Sequence, residues 1–493
     1  MNDFVHYQDI NLWLLAPEIS LGLMAAILVI ADLGLRRKSW LPYIALAGAA
    51  ASFGWTLGLA LADKRGSTFA EALVVDDFAL FFKFLFAGVA AMTVLFSMDY
   101  VRRNARLTQY AGEYYALVLL ASGGMMLMAG TGELVSIYIA LELTSISLYV
   151  MATLLKDERS SEAGLKYLLL GAIASAVMLY GMALVYGLTG TTELSAIVDR
   201  LPAGRAYDNP ALMLAMTFLV AGFGFKIAAV PFQMWVPDVY EGAPTPVTAF
   251  LSVASKGAGF AVVLRVFNSA FGAPADVLVD WRMLFAVLAA ITMFVGNIVA
   301  IAQTNIKRML GYSSIAQAGY LMVGIATVTS LGVSSVQFFL ASYALTNLGA
   351  FIAVIAVSNR INSDQIADYA GMARRAPLLA QGQAFCLVSL TGIPPTAGFI
   401  AKIYLFSAAV GDKLTWLVVI AVINTVISAY YYLRVVKVMY TQAPPVEEHV
   451  ESSPSLSLSL AFAAAGVLVL GIVPQPLLRL LEEVGSTIAG VTF

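Results

Sequence analysis

From residue 12 to residue 475 the chain is a near-continuous succession of apolar runs, each long enough to cross a bilayer. A helix needs roughly 20 such residues to span the hydrocarbon. About fourteen stretches reach that length, near 12–35, 40–62, 77–99, 113–130, 132–155, 162–188, 210–236, 244–270, 281–303, 307–329, 334–357, 377–410, 414–440 and 455–475. Backbone polar groups in lipid must be paired internally, which runs of this length achieve as α-helices. The chain is therefore predicted to be an all-α polytopic membrane protein. Its composition agrees, with 60% of the 493 residues hydrophobic and 12% charged, well outside the soluble range.

Several function classes fall away at once. The 28 basic and 30 acidic residues nearly balance, and no block of lysine or arginine offers a nucleic-acid surface. Cys386 is the single cysteine, so no internal disulfide or cysteine-held cluster is expected. His6 and His449 both lie in polar segments, leaving the apolar runs without imidazole ligands for haem or copper. Any redox chemistry is expected to reside in a partner, with no cofactor in this chain. The first ten residues, MNDFVHYQDI, carry no lysine or arginine, which argues against a cleaved leader and for retention of the first helix.

Fourteen crossings return the chain to the side on which it began. With the termini placed outside, fifteen basic residues fall in internal loops and helix ends, among them Arg36, Arg37, Lys38, Arg102, Arg103, Lys307 and Arg308. Seven fall outside: Lys64, Arg65, Arg200, Arg205, Arg282, Lys413 and Arg479. Excess positive charge marks the cytoplasmic face, so both termini are expected on the external side.

The remaining six basic residues lie inside the runs: Lys83, Lys166, Lys226, Lys256, Arg265 and Lys402. Lys83 and Arg265 are within about two turns of a helix end and are expected to reach the interface with their long stems; Lys166 is also close enough to do so. Lys226 and Lys256 are sixteen and twelve residues into their runs, roughly 24 and 18 Å by helical rise. Glu142 is the one acid near the middle of a run. A charge near mid-bilayer costs at least about 2.5 to 3.5 kcal/mol. Internal ion pairs that hold helices together are one explanation, but a single central acid cannot partner several lysines. Desolvation and neighbouring positive charge make a lysine release its proton more readily, so the set reads as a proton-carrying series.

Broken backbone accompanies the charges. Pro231 follows Lys226 by five residues, and Pro394 and Pro395 precede Lys402. Proline donates no N–H and crowds the preceding turn, freeing carbonyls. Such backbone persists at membrane depth where it is buried in protein or lines a hydrated cavity. Two interrupted helices in two halves form the pattern of repeat-built transporters, although kinked helices of purely structural purpose are also common. Asn297, Gln303, Asn347, Asn424 and the run Tyr430, Tyr431 and Tyr432 add polar groups to later runs, for which interhelical hydrogen bonding is the commoner explanation.

Three stretches carry a family resemblance: KIAAVPFQMWVPDVYEGAPTPVTAFLSVASK, QTNIKRMLGYSSIAQAGYLMVG and SLTGIPPTAGFIAKIYLF. They resemble the antiporter-like membrane subunits of respiratory complex I, with the likeness running from about Glu113 to Tyr440. Chain length favours a shorter member over a larger relative, and Lys402 favours it over the sibling that usually carries glutamate on that helix. The resemblance implies fourteen helices with two inverted five-helix repeats, over 113–270 and 281–440, preceded by three helices in 1–112 and followed by a loop and last helix in 441–493. It implies that helices 7 and 12 are discontinuous, and that Glu142, Lys166, Lys226, Lys256 and Lys402 form the proton pathway. Relatives often carry histidine where this chain has Gln317, a departure that argues against titration there.

The same resemblance places NADH oxidation, flavin, iron–sulfur clusters and the quinone site in other subunits. It implies as partners a neighbouring antiporter-like subunit and small membrane subunits, in a bacterial inner membrane. A stand-alone cation/proton antiporter subunit shares the fold and the lysines, and a structural scaffold is a third reading.

Overall fold

The computed structural model describes residues 10–488 apart from 36, 202, 203, 205, 273, 274, 445–448, 450 and 451. His6, Arg36 and Arg205 lie outside the described residues. The helices that frame the molecule are α1 (Ala16–Gly34), α2 (Leu41–Leu61), α3 (Asp77–Arg103), α4 (Ala111–Gly130), α5 (Leu134–Ala152) and α6 (Glu158–Thr189). They continue with α7 (Pro210–Ile227), α8 (Trp235–Gly242), α9 (Thr245–Ser269), α10 (Ala275–Ile301), α11 (Ile306–Ala326) and α12 (Ser330–Ile361). The last are α13 (Pro377–Thr391), α14 (Ala397–Gly411), α15 (Thr415–Thr441), α16 (Pro454–Ile472) and α17 (Gln475–Ile488).

Local chemistry fixes many of the starts. Asp76, Asp157, Asn209, Asn305 and Thr329 each accept a backbone N–H from the first turn of the helix that follows, satisfying donors that a helix start leaves unpaired. At its other end α6 stops at Gly190, whose φ of +68° is left-handed and suits a residue without Cβ. A short antiparallel hairpin, β1 (Gly66–Thr68) and β2 (Leu73–Val75), joins α2 to α3. Its three-residue strands are too short for sequence alternation to reveal.

Among the described residues, twelve helices are long and apolar enough to cross a membrane. Two of the expected fourteen runs differ. The run near 307–329 is α11, whose Lys307, Arg308, Ser313, Ser314 and Gln317 lower its hydropathy; it tolerates them because nearly all of it is buried in protein. The run near 377–410 is divided into α13 and α14, each shorter than a bilayer is thick.

α9 and α12 form the centre of the bundle, and the outer faces of α1, α2, α6, α15 and α16 remain apolar and exposed. α10 and α11 approach closely: a Cβ added to Gly296 would lie 2.5 Å from the Ala316 nitrogen. Small residues at such a crossing let backbones meet in the absence of a hydrophobic drive. After α16 the chain turns into α17, which buries Leu481 and Val484 against the bundle while the Ser334 hydroxyl donates to the Leu481 carbonyl at 2.7 Å.

Candidate functional site

The first interruption separates α7 from α8. α7 ends at Ile227, before Pro231 is reached, because Ala228 adopts left-handed backbone with φ +63°. The N–H of Ala229 bonds the Gly224 carbonyl at 2.8 Å, and the Trp235 indole donates to the Phe225 carbonyl at 3.0 Å. The carbonyls expected to be freed beside Lys226 are thus partly capped by the chain that follows. At the second interruption α13 ends at Thr391, and Gly392 takes φ +89°. A Cβ there would stand 2.9 Å from Lys402 Cδ, so glycine serves both the turn and the lysine's passage.

Lys402, from α14, reaches back to this exposed helix end. Its Nζ donates to the carbonyls of Thr391 at 2.9 Å and Leu390 at 3.3 Å. The ammonium also sits 4.5 Å from the centre of the Tyr320 ring, within cation–π range. The broken helix is therefore the lysine's binding partner.

Lys256 is placed by a π-helical turn over Leu251–Ser255 within α9, the kind of local irregularity that re-aims a side chain at functional sites. Its Nζ donates to the carbonyl and to the hydroxyl of Ser314 on α11, both at 2.5 Å. Tyr343 and Tyr240 share the same hydroxyl, at 2.9 and 3.3 Å. The adjacent Ser313 hydroxyl is hydrogen-bonded to Tyr432. The Gln317 amide donates to the Tyr432 oxygen at 3.3 Å and to the Leu390 carbonyl at 3.2 Å. Leu390 is also the acceptor of Lys402, so polar groups connect Lys256 to Lys402 through the buried interior. A cavity of about 10 Å³ beside Gln317, Ser389 and Lys402 is at the lower limit for one water molecule.

The first half is arranged differently. Lys226 is buried and donates to the Ser145 hydroxyl on α5 at 2.9 Å. Glu142, three residues earlier on the same helix and only half-buried, accepts from Ser175 on α6. No ion pair joins Glu142 to Lys226 among the described residues; hydroxyls stand at both ends of the gap. Lys166 is at the edge of the bundle, paired at 2.8 Å with both Glu162 and Asp238. Asp238 and Glu241 also receive Arg308 from α11, at 2.7 and 3.0 Å. Glu162, Lys166, Asp238 and Glu241 line a cavity of about 200 Å³ together with Arg159.

Lys83 and Arg265 do not reach the interface as expected. Lys83 is fully buried and pairs with Glu18 of α1. Arg265 forms a two-pronged contact with Asp76, at 2.9 and 3.0 Å, and donates to the Ala129 carbonyl at 2.7 Å. Acids near helix ends, rather than lipid headgroups, receive these two stems. Glu18 gives no mid-membrane signal because it stands only six residues into the first apolar run.

Other polar groups tie helices together. Asn297 donates to Asn424 at 3.1 Å and accepts from Tyr431 at 3.0 Å; Asn347 donates to Ser252 at 2.6 Å, and Gln303, just past α10, donates back to the Val299 carbonyl at 3.0 Å. Tyr430 is exposed. Ser145, Ser313 and Ser314, which mediate the lysine contacts, carried no signal in the sequence, because serine in an apolar helix normally bonds its own preceding turn.

Interrupted helices beside buried lysines, with hydroxyls bonded to the charged groups, are the architecture of an ion-translocating membrane subunit. Residues 131–428 match the family described as NADH:quinone oxidoreductase/Mrp antiporter, TM. NADH-quinone oxidoreductase subunit N of Dehalococcoides mccartyi is 44% identical over 480 residues, spanning 95% of this chain and 98% of the relative. The protein of the same description from Moorella thermoacetica is 46% identical over 474 residues, spanning 95% and 97%. A chain in the structure of respiratory complex I from Thermus thermophilus superposes with a TM-score of 0.80 at 32% identity, spanning 94% of this chain and 98% of that one. The chain belongs to this NADH:quinone oxidoreductase/Mrp antiporter membrane family.

Proposed function

We propose that the chain works as the N-type, proton-translocating membrane subunit of an NADH:quinone oxidoreductase. The observation that carries this reading is the run of buried polar groups from Lys256 to Lys402: Lys256 on Ser314, the adjoining Ser313 on Tyr432, and Gln317 joining Tyr432 to the Leu390 carbonyl that also receives Lys402. Curated relatives at 44% and 46% identity carry the subunit N name, which favours this reading over a stand-alone cation/proton antiporter. NADH oxidation and quinone reduction belong to partner subunits, and this subunit holds no cofactor of its own.

The residues divide the work. An anionic Glu142 stabilises the ammonium of Lys226 across the gap that Ser145 and Ser175 border; when Glu142 is protonated, that support is withdrawn and Lys226 Nζ releases its proton. Lys256 and Lys402 pass the charge on, with Lys166 at the charged rim. Redox work done in the partners biases these steps.

The full architecture belongs to the same reading: fourteen crossings, two inverted five-helix repeats over 113–270 and 281–440, and both termini on the external face of a bacterial inner membrane. A neighbouring antiporter-like subunit and small membrane subunits flank it there. Impermeant reagents should reach tags at both termini from outside, and a cytoplasmic C-terminus would sink the fourteen-crossing count. The functional test uses the assembled complex in proteoliposomes carrying Lys256→Ala. Loss of proton uptake with assembly retained supports translocation here, whereas unchanged proton yield leaves only a scaffold. Purification without quinone reductase activity would favour the antiporter instead.

A further inference from the structure

A large cavity lies apart from the lysine line. It measures about 870 Å³ and opens between α2, α3, α4 and the start of α16, within the range of sites that hold a sizeable organic molecule. Its inner wall is apolar, including Pro42, Met98, Val101 and Tyr115. Its mouth carries Arg37, Lys38 and Arg102 against the single acid Asp99.

The charges at the mouth are arranged for an anion. Lys38 is held in place by Asp32 at 3.0 Å and by the Gln109 carbonyl at 2.6 Å. Asp99 has its closest cation in Arg103, at 2.7 Å, and Arg102 is farther away at 3.6 Å. With 80% of its side chain exposed, Arg102 is available to another partner. Arg37 is exposed and has no ion pair among the described residues. Beside the opening, Trp40 and Tyr43 expose their rings and stand 6.0 Å apart. Such amphipathic rings mark the level of lipid headgroups.

A basic mouth at headgroup level above an apolar cleft between helices matches one chemistry. We propose that this cavity holds a phospholipid with an anionic headgroup, its phosphate received by Arg37 and Arg102 and an acyl chain laid along α3 and α4. Lys38 supplies a fixed positive charge beside the phosphate. Basic pockets between helices recognise anionic headgroups in this way.

The test uses the intact complex in phosphatidylcholine vesicles doped with a photoreactive lipid whose diazirine is on the acyl chain. Phosphatidylglycerol and phosphatidylcholine probes are compared, and labelled peptides are mapped by mass spectrometry. The anionic probe should label peptides containing Tyr43, Met98 or Tyr115, and labelling should fall about fivefold for each basic residue removed in Arg37→Gln and Arg102→Gln. Equal labelling by both probes, or no labelling of these peptides, overturns the proposal. The comparison of probes on the unaltered complex decides the matter even where a variant fails to assemble. Excess inorganic phosphate should not compete; full competition would make the site one for free anions and overturn the lipid assignment.

Discussion

Lys256 and Ser314 meet across the seam between α9 and α11, the ammonium 2.5 Å from both the carbonyl and the hydroxyl oxygen of the serine. The carbonyl can only hold the lysine. The hydroxyl can also donate, and it is shared with Tyr240 and Tyr343. Ser314→Ala should therefore retain the fold and the lysine's position but interrupt transfer. A hydrogen bond to a charged group contributes about 1.5 to 3 kcal/mol, so coupled proton uptake should slow roughly tenfold or more. Proton uptake per NADH at matched complex levels measures it.

Glu142→Gln and Lys226→Ala should both assemble and both lose most coupled activity, because each removes one member of a pair that hydroxyls already separate. Glu142→Gln keeps a group able to bond Ser175 and removes only the charge. Wild-type turnover and proton yield in either variant would take the pair out of the mechanism.

Lys402 separates a carrier from a clamp. Its ammonium caps the Thr391 and Leu390 carbonyls; alanine would leave the Thr391 carbonyl without this donor, at about 1 to 3 kcal/mol, while Leu390 keeps the Gln317 amide. Arginine can still donate to them but keeps its proton at any accessible pH. Lys402→Arg is thus expected to assemble better than Lys402→Ala and to pump no better. An active arginine variant would remove Lys402 from the proton pathway.

The Lys83–Glu18 pair gives a prediction on stability alone. Removing one member of a buried pair strands the other charge, at a cost of about 3 to 5 kcal/mol. Lys83→Met should lower the yield and thermal midpoint of the assembled complex, and adding Glu18→Leu should restore most of both. A double variant as weak as the single one would show that packing, not charge, is at stake.

The sequence revealed the parts of this molecule that carry an extreme physical signal. Long apolar runs announced the helices, and charge at membrane depth drew attention to Lys226, Lys256 and Lys402, all of which are buried. Distance to a helix end was a poor guide for Lys83 and Arg265, because it counts the reach of a stem and ignores acids on neighbouring helices. Proline located the breaks only approximately: Ala228 and Gly392 make the turns, and left-handed backbone at an alanine has no signature in the sequence. Ser145 and Ser314 were silent for a similar reason. Their importance comes from which helix faces them, a property of the folded bundle.

The seam between α9 and α11 also determines how divisible the chain is. Lys256 finds its acceptors on Ser314, beyond the loop that follows α9, and Arg308 finds Asp238 and Glu241 before it. Severed between α9 and α10, each fragment would enter the bilayer with charges whose partners are on the other. Neither piece is a miniature of the whole. Their cation and carboxylates would be satisfied only on reunion, which makes co-expressed fragments mutual folding templates and fragments made alone targets for degradation.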